Sequence, residues 1–274
     1  MNNLNNSAKD QFEENGFYIF KNLFTAPEIE QLREDCYKQF DADSQHQLSY
    51  SINKTSAKSA KGDLLSKTFL NKIILENRVI NAAKSILGND IVYFGDSNYQ
   101  IGSGLRGFHR DNIDRVFQSG PDWEGQYTII RFGLYMQDHQ RYSGGLKVKS
   151  GSHKNRSGKT IVLDTQVGDL VVWSLKTLHS GNAVRLKLWP SFPIDYFERH
   201  IPEAIKVDEA KERIACFFSF GVKDKNLDRY IVQYLQKNKV AVENLKNSPI
   251  SNELIQQLNS NGVLLIKPIP EYGI

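Results

Sequence analysis

The spacing of apolar residues divides the chain into helical segments at both ends and a strand-rich middle. Thr25 and Glu28 form a capping box, and the apolar positions that follow recur on one helical face: Ile29, Leu32, Cys36, Tyr37 and Phe40. The same spacing predicts a helix over 77–87, which Gly88 ends, and helical structure over 225–274. Residues 16–20 are typical of a strand, whereas the polar segment 41–67 predicts a surface loop.

Short apolar runs separated by turn residues fill the chain from Ile91 to Val222. They are Ile91–Tyr99, Tyr127–Gln137, Gly145–Lys149, Thr160–Leu163, Leu170–Ser174 and Arg213–Gly221. Many short strands with turn signals between them are typical of a β-sandwich or barrel. No internal repeat or long linker divides the chain. We therefore expect a single domain over 1–274, mainly β with flanking helices, whose β core covers 91–221.

The composition is that of an ordinary globular protein. The 274 residues are 40% hydrophobic and 24% charged, which excludes a disordered chain and a coiled coil. No apolar run reaches the roughly 18 residues of a membrane span, and the polar start lacks the pattern of a signal peptide. The two cysteines, Cys36 and Cys216, cannot form a disulfide framework, so we expect a cytoplasmic protein.

The charge changes this picture only locally. A net charge of +4 is weak beside the basic surfaces of nucleic-acid-binding proteins, so no nucleic-acid partner is expected. No acidic residue lies between Asp138 and Asp164, a stretch that contains Arg141, Lys147, Lys149, Lys154, Arg156 and Lys159. Such a run is usually a solvated surface, but it also suits the docking of an anionic substrate.

The chain contains only six histidines, which are candidate metal ligands and catalytic residues. His109 and Asp111 follow a predicted strand, and residues i and i+2 share one face of an extended segment. They supply two of the three ligands of the facial triad that holds Fe(II) with open positions. His179, after the apolar strand 170–174, is a candidate third ligand. Arg213 is the first residue of the last predicted strand, and its planar guanidinium group suits the binding of a carboxylate. The alternative is an arginine at a strand end whose charged group reaches solvent.

Four ordered motifs resemble the phytanoyl-CoA dioxygenase family. Residues 12–19 and the capped helix resemble its opening strand and helix, and Gly107-Phe108-His109-Arg110-Asp111 resembles its first metal motif. Tyr142-Ser143-Gly144-Gly145-Leu146 with Ser150-Gly151-Ser152-His153 is similar to its hairpin, although Gly144 stands where the family has asparagine. Gly168-Asp169-Leu170-Val171-Val172-Trp173 with Leu178-His179 resembles its distal metal strand.

The resemblance implies a double-stranded β-helix (jelly-roll, cupin-like) core and an oxygenase that uses Fe(II), 2-oxoglutarate and O2. It implies His109, Asp111 and His179 as iron ligands, and Arg213 as the partner of the C5 carboxylate of 2-oxoglutarate. It makes His153 a structural residue of the hairpin. The remaining histidines match no motif and are expected at the surface: His46, His139 and His200.

The position of the arginine departs from the family pattern, in which it follows the distal histidine closely. We interpret 183–211 as an insertion that displaces Arg213, with Arg185 as the rival partner of 2-oxoglutarate. This aromatic and Pro-rich insertion is either a lid that excludes water from the iron or an interface patch.

The resemblance implies hydroxylation or another C–H oxidation of a small molecule, with release of succinate and CO2. Asp111 favours this over halogenation, because the related halogenases lack that carboxylate. Candidate substrate contacts are Arg110, Asn112, Trp173 and Trp189, and Tyr99 either hydrogen-bonds the cosubstrate or packs. The alternative is a metal-binding cupin-type module that is non-catalytic or acts differently. The substrate and the oligomeric state are not predicted.

Overall fold

The computed structural model describes residues 2–52, 55–102, 107–195, 197–210 and 212–274. Its α-helices are α1 Asn2–Asn15, α2 Ala26–Ala42, α3 Asn71–Leu75, α4 Asn77–Leu87, α5 Lys225–Tyr230, α6 Lys239–Lys246 and α7 Asn252–Ser260. The strands are β1 Phe17–Phe20, β2 Gln47–Ile52, β3 Thr55–Ala60, β4 Ile91–Gly102, β5 Ile129–Tyr135, β6 Gly145–Ser150, β7 Lys159–Val162, β8 Leu170–Ser174, β9 His179–Ala183, β10 Ile214–Val222 and β11 Leu264–Leu265. In the described part of the chain, no helix has the length and apolar character needed to cross a membrane.

Local signals set the helices that sequence predicts. Thr25 accepts a hydrogen bond from the backbone of Glu28, and the Glu28 carboxylate accepts the Thr25 amide at 2.7 Å, so α2 begins with the expected capping box. Helix α4 has the predicted bounds, and Gly88 after it has φ of +95°, which favours glycine. Cys36 is fully buried in α2, as its helical position predicts.

Two antiparallel sheets form the β core. The larger has the order β1-β8-β5-β10-β4-β3-β2, with β11 added in parallel to β4, and the smaller has the order β7-β6-β9. Strand β10 lies between β5 and β4 and pairs with both along most of its length. This mainly β architecture with flanking helices confirms the predicted fold class, a jelly roll.

The alternation of side chains along the strands separates a structural face from a functional one. In β5, Ile130, Phe132 and Leu134 point towards the helices and join the main apolar core. The other face of the large sheet meets the small sheet, where Leu146 and Val148 pack in a second cluster. The residues that alternate with these core positions, such as Arg131 and Tyr135 in β5, therefore face the space between the two sheets.

The segment 41–67 differs from the predicted surface loop. It contains the hairpin β2–β3, and β3 pairs with β4 at the edge of the large sheet through Ala57 and Lys58. Leu64 and Leu65 after it are fully buried. The prediction was wrong because it followed the polar composition of the segment as a whole. In β2, Leu48, Tyr50 and Ile52 do alternate with polar residues, whereas β3 has only alanine as an apolar residue type and shows no alternation. Helix α1 was not anticipated either.

The segment 183–211 folds back on itself outside the small sheet. The Lys187 amide donates to the Ile205 carbonyl at 2.9 Å, and the Val207 amide donates to that of Arg185 at 2.8 Å. Two ion pairs anchor the segment to β6: Lys147 to Glu198 at 2.9 Å and Lys149 to Asp195 at 2.7 Å. Tyr196 and Lys211 of this segment, and residues 103–106 before the first metal motif, lie outside the described residues.

Candidate active site

Backbone hydrogen bonds bring the two candidate metal-binding segments together. The His109 amide donates to the His179 carbonyl at 2.9 Å, and the His179 amide donates back to the His109 carbonyl at 3.0 Å. The Asp111 amide donates to the Leu175 carbonyl at 2.9 Å. Because this short antiparallel bridge fixes the register, the three side chains emerge on the same side of it.

The hydrogen bonds of the imidazole rings leave one nitrogen of each ring available. His109 Nδ1 lies 2.9 Å from the Gly107 carbonyl, and His179 Nδ1 lies 2.9 Å from the Thr177 carbonyl. A carbonyl only accepts, so each Nδ1 donates a hydrogen bond to it, and Nε2 is the ring nitrogen left to bind a metal. A backbone carbonyl that orients a histidine in this way is typical of metal sites.

The Asp111 carboxylate completes the cluster. Its oxygens lie 3.7 Å from His109 Nε2 and 3.5 Å from His179 Nε2, and one ligand atom from each of the three residues lies within 4.8 Å of the others. Burial opposes ionisation of Asp111, but its charged surroundings, first among them the guanidinium of Arg131, outweigh it and hold the pKa of Asp111 below the ordinary value. The carboxylate is therefore charged at neutral pH.

Burial keeps His179 neutral. Its side chain is almost fully enclosed, and desolvation lowers its pKa to about 4 although Asp111 acts in the opposite direction. A neutral imidazole is the form that binds a metal. Two imidazoles and one carboxylate, on one side of an open cavity, match the donor set of non-haem Fe(II) sites, so the residues present fit the ion that the sequence predicts.

A cavity of about 270 Å³ extends from the three side chains into the space between the sheets. Its apolar wall consists of Leu146, Trp173 and Phe217, and the Trp173 ring lies 5.3 Å from that of His179. Arg213 also lines this cavity. The structure therefore brings together three predicted metal ligands, the predicted cosubstrate arginine and one of the predicted wall residues.

Arg213 is buried in the cavity wall beside Tyr135, which lies four residues along β5 from Arg131, the partner of Asp111. Its Nε donates to the Gly144 carbonyl at 3.0 Å, and its guanidinium lies 5.4 Å from the centre of the Tyr135 ring. Arg185 is directed elsewhere: it donates to the His139 carbonyl at 2.8 Å and pairs with Asp164. Of the two rival arginines, Arg213 faces the cavity.

Three other predicted residues do not reach the cavity. Tyr99 lies on the opposite face of β4, in the main core beside Cys36 and Asp43, because side chains alternate along a strand. Arg110 points away from His109 and donates to backbone carbonyls, among them that of Lys176 at 2.9 Å. Asn112 donates to Asp122 Oδ2 at 2.8 Å. Tyr99 packs, and Arg110 and Asn112 hold loops.

The predictions for 183–211 and the basic stretch also change. Trp189 is 65% exposed, and none of the described residues in 184–210 lines the cavity, so the described part of the insertion covers the small sheet instead of the metal cluster. Lys147 and Lys149 are buried in ion pairs with this segment. The six basic side chains of 138–164 are absent from the cavity wall formed by described residues.

The remaining histidines divide into three environments. His153 is buried, and its Nε2 lies 2.9 Å from the Glu13 carbonyl, which agrees with a structural role in the hairpin. His46 and His200 are exposed, as expected. His139 is buried instead of exposed, with Nδ1 3.0 Å from Thr165 Oγ1 and desolvation lowering its pKa to about 3. Its place after a strand end gave no sign of that enclosure.

Sequence reasoning missed Arg131 and Asp96, which also line the cavity. Arg131 NH1 donates to Asp111 Oδ2 at 2.9 Å, and its other terminal nitrogen pairs with Asp96. A signal was available, because Arg131 interrupts an apolar strand as Arg213 opens one, and a buried arginine requires a partner.

With this geometry in hand, comparison with known proteins gives the class. The family model "Phytanoyl-CoA dioxygenase (PhyH)" matches residues 12–185, and the chain belongs to this family. Membership places it among enzymes of the Fe(II)- and 2-oxoglutarate-dependent oxygenase type. No curated protein matches the sequence. The match ends before β10, so Arg213 lies outside it.

Solved structures share the fold at low sequence identity. The non-heme alpha ketoglutarate dependent epimerase SnoN from nogalamycin biosynthesis has a TM-score of 0.58 and 11% identity over 80% of this chain and 83% of its own. HygX from Streptomyces hygroscopicus, with nickel and 2-oxoglutarate bound, has a TM-score of 0.54 and 12% identity over 78% and 87%. AviO1 from Streptomyces viridochromogenes has a TM-score of 0.53 and 13% identity over 80% and 95%.

Proposed function

We propose that this protein is an Fe(II)- and 2-oxoglutarate-dependent dioxygenase that hydroxylates or otherwise oxidises a C–H bond of a small molecule, with release of succinate and CO2. The observation that carries the proposal is the cavity that joins the cluster of His109, Asp111 and His179 to the buried Arg213. A metal site and a fixed cation in one cavity suit a cosubstrate that has a chelating end and a distal carboxylate.

His109 and His179 would hold the iron through Nε2, and Asp111 through its carboxylate. When bound, Fe(II) with 2-oxoglutarate and O2 supplies the oxidising power for C–H cleavage. The protein's own contribution is to position the ligands. The backbone bridge between the two histidine segments, and the hydrogen bond that each Nδ1 donates to a backbone carbonyl, would hold the ligands before the ion arrives.

Arg213 would bind the C5 carboxylate of 2-oxoglutarate through its fork. The guanidinium is restrained by the Gly144 carbonyl and the Tyr135 ring, so it is oriented before the cosubstrate binds. Leu146, Trp173 and Phe217 would line the space between arginine and metal and exclude water from it.

Asp111 supports oxidation over halogenation, because its carboxylate would take the coordination position at the metal that a halide would need. For the substrate, we propose a small organic molecule. The titles of two structural neighbours name small molecules, nogalamycin RO for SnoN and hygromycin B for HygX. The position of the basic side chains outside the cavity removes the support for an anionic substrate that their sequence clustering gave.

An anaerobic titration tests the proposed function. Fe(II) and 2-oxoglutarate added to the folded protein are expected to give the weak visible charge-transfer band of chelated iron, and His179→Ala is expected to abolish it. His46→Ala is the matched control, because His46 is an exposed histidine that does not line the cavity. Metal binding by the wild-type protein without the band would favour the cupin-type module that is non-catalytic or acts differently.

A further inference from the structure

Arg131 lies directly behind the candidate metal ligands. It projects from β5 into the cavity, where its NH1 donates to Asp111 Oδ2 at 2.9 Å and its NH2 pairs with Asp96. Its side chain is only 18% exposed, so these are largely desolvated contacts. One guanidinium thus joins two carboxylates, of which one is a candidate metal ligand.

Arg131 is itself held in place from the side opposite to Asp111. Asp96 Oδ2 accepts hydrogen bonds from Ser219 Oγ at 3.0 Å and from the Tyr230 hydroxyl at 3.1 Å. Arg131 Nε donates to Ser219 Oγ at 3.2 Å. The guanidinium cannot turn away from Asp111 without giving up bonds at the other end, because its fork is planar and rigid.

This arrangement restricts how Asp111 can meet a metal ion. A carboxylate binds a cation through one oxygen or through both. Oδ1 lies 3.7 Å from His109 Nε2, and Oδ2 lies 3.5 Å from His179 Nε2 but also accepts the hydrogen bond from Arg131, which competes for its lone pairs. We propose that Arg131 is a positioning residue that limits Asp111 to one metal-binding oxygen, and that Asp96 keeps Arg131 in that role. The proposal rests on the metal site of the proposed function.

The consequence is an additional open position at the ion. In six-coordinate geometry, three single-atom protein ligands leave about three positions, whereas a carboxylate that uses both oxygens leaves about two. An enzyme that must accept a bidentate cosubstrate and O2 needs the larger number. Arg131 would therefore protect the coordination capacity of the site, at some loss of metal affinity because it places a positive charge beside the ion.

The test counts metal-bound water without turnover. Mn(II) is bound to the purified full-length protein, and the longitudinal relaxation rate of water protons is measured. We expect Arg131→Met to lower the relaxivity of the bound ion by about one third, from roughly three exchangeable waters to two, with Mn(II) bound at least as tightly as by the wild-type protein. Arg131→Lys keeps a positive charge beside Asp111, and we expect it to lower the relaxivity less than Arg131→Met does.

Arg185→Met is the matched control, because it also removes a buried arginine that pairs with an aspartate, away from the cavity. It is expected to leave the relaxivity unchanged. Unaltered relaxivity in Arg131→Met, or loss of Mn(II) binding by it, would overturn the proposal. If circular dichroism shows that Arg131→Met does not fold, Asp96→Asn is measured in its place. A partial decrease in the relaxivity of bound Mn(II) would support the role of Arg131, and a wild-type relaxivity would contradict it. Failure of the proposed function appears separately, as a missing 2-oxoglutarate band in the wild-type protein.

Discussion

Burial of single histidines makes the stability of this protein depend on pH. Desolvation lowers the pKa of His139 to about 3, whereas an unfolded chain protonates histidine near its ordinary value of 6.5. Between these values the unfolded state binds more protons, so the stabilisation from neutral His139 is present at pH 7 and is lost as the pH falls. His153, with a pKa lowered to about 4 by desolvation, acts with the same sign.

Substitution of His139 isolates this effect. Relative to His139→Gln, the wild-type protein is expected to lose about 2 kcal/mol of unfolding free energy between pH 7 and pH 5, because the variant has no histidine to protonate at that position. Urea unfolding at the two pH values measures it. His200→Gln, at an exposed histidine, should show no such difference, and an equal difference in both variants would contradict the assignment to burial.

The choice between Arg213 and Arg185 is also decided at the residue scale. Arg213→Ala removes the cation that faces the cavity. We expect the concentration of 2-oxoglutarate that gives half-maximal band intensity to rise by about 10- to 100-fold, because a charge-assisted pair is lost. Arg185→Ala should leave it within about twofold, because Arg185 pairs with Asp164 outside the cavity. The reverse ranking would contradict the interpretation of 183–211 as an insertion.

Among the elements, the segment 184–210 depends on a buried ion pair. Glu198 accepts from Lys147 at 2.9 Å and from the Val184 amide at 2.9 Å, with only 1% of Lys147 exposed. Glu198→Ala is expected to destabilise the protein by roughly 3 kcal/mol, since it leaves a buried ammonium without its carboxylate, and to speed proteolysis within this segment. Urea unfolding and limited proteolysis measure the two effects.

The same variant tests where the segment lies. Because no described residue of 184–210 lines the cavity, Glu198→Ala is expected to leave the 2-oxoglutarate band of the folded protein unchanged. Glu203→Ala, whose side chain is 87% exposed, is the control for stability and proteolysis. A lost band with intact circular dichroism would instead restore the lid interpretation of the insertion.

The elements also show what sequence can and cannot predict here. Helix α4 and strand β8 have their predicted bounds, because capping residues and apolar runs are local signals. The β2–β3 hairpin was missed although Leu48, Tyr50 and Ile52 alternate with polar residues in β2, because β3 has no such alternation and owes its place to pairing at a sheet edge. Arg110 was misplaced for a similar reason: its neighbour His109 faces the cavity, and the alternation of an extended segment directs Arg110 to the loop carbonyls.

At the scale of the molecule, the family model matches residues 12–185, whereas we expect all of 1–274 to fold as one domain. Residues 12–185 exclude β10, which lies between β5 and β4, and the helices after it that supply Leu245 and Leu258 to the main core. In a fragment of residues 12–185, β5 would still pair with β8 and β4 with β3, but the edges of β4 and β5 that face β10 would be unpaired. We expect this fragment to show no cooperative unfolding transition, whereas residues 1–274 should show one in urea by near-ultraviolet circular dichroism. A sigmoidal transition in the fragment would contradict this view of the domain.

The central place of β10 has a further consequence for how the protein is made. Strands β4 and β5 leave the ribosome long before residues 214–222, so their edges that face β10 stay unpaired while residues 136–213 are added. Open strand edges are templates for pairing with other chains. The nascent chain is thus most prone to aggregate late in synthesis, and the cavity wall that carries Arg213 exists only after translation has passed it.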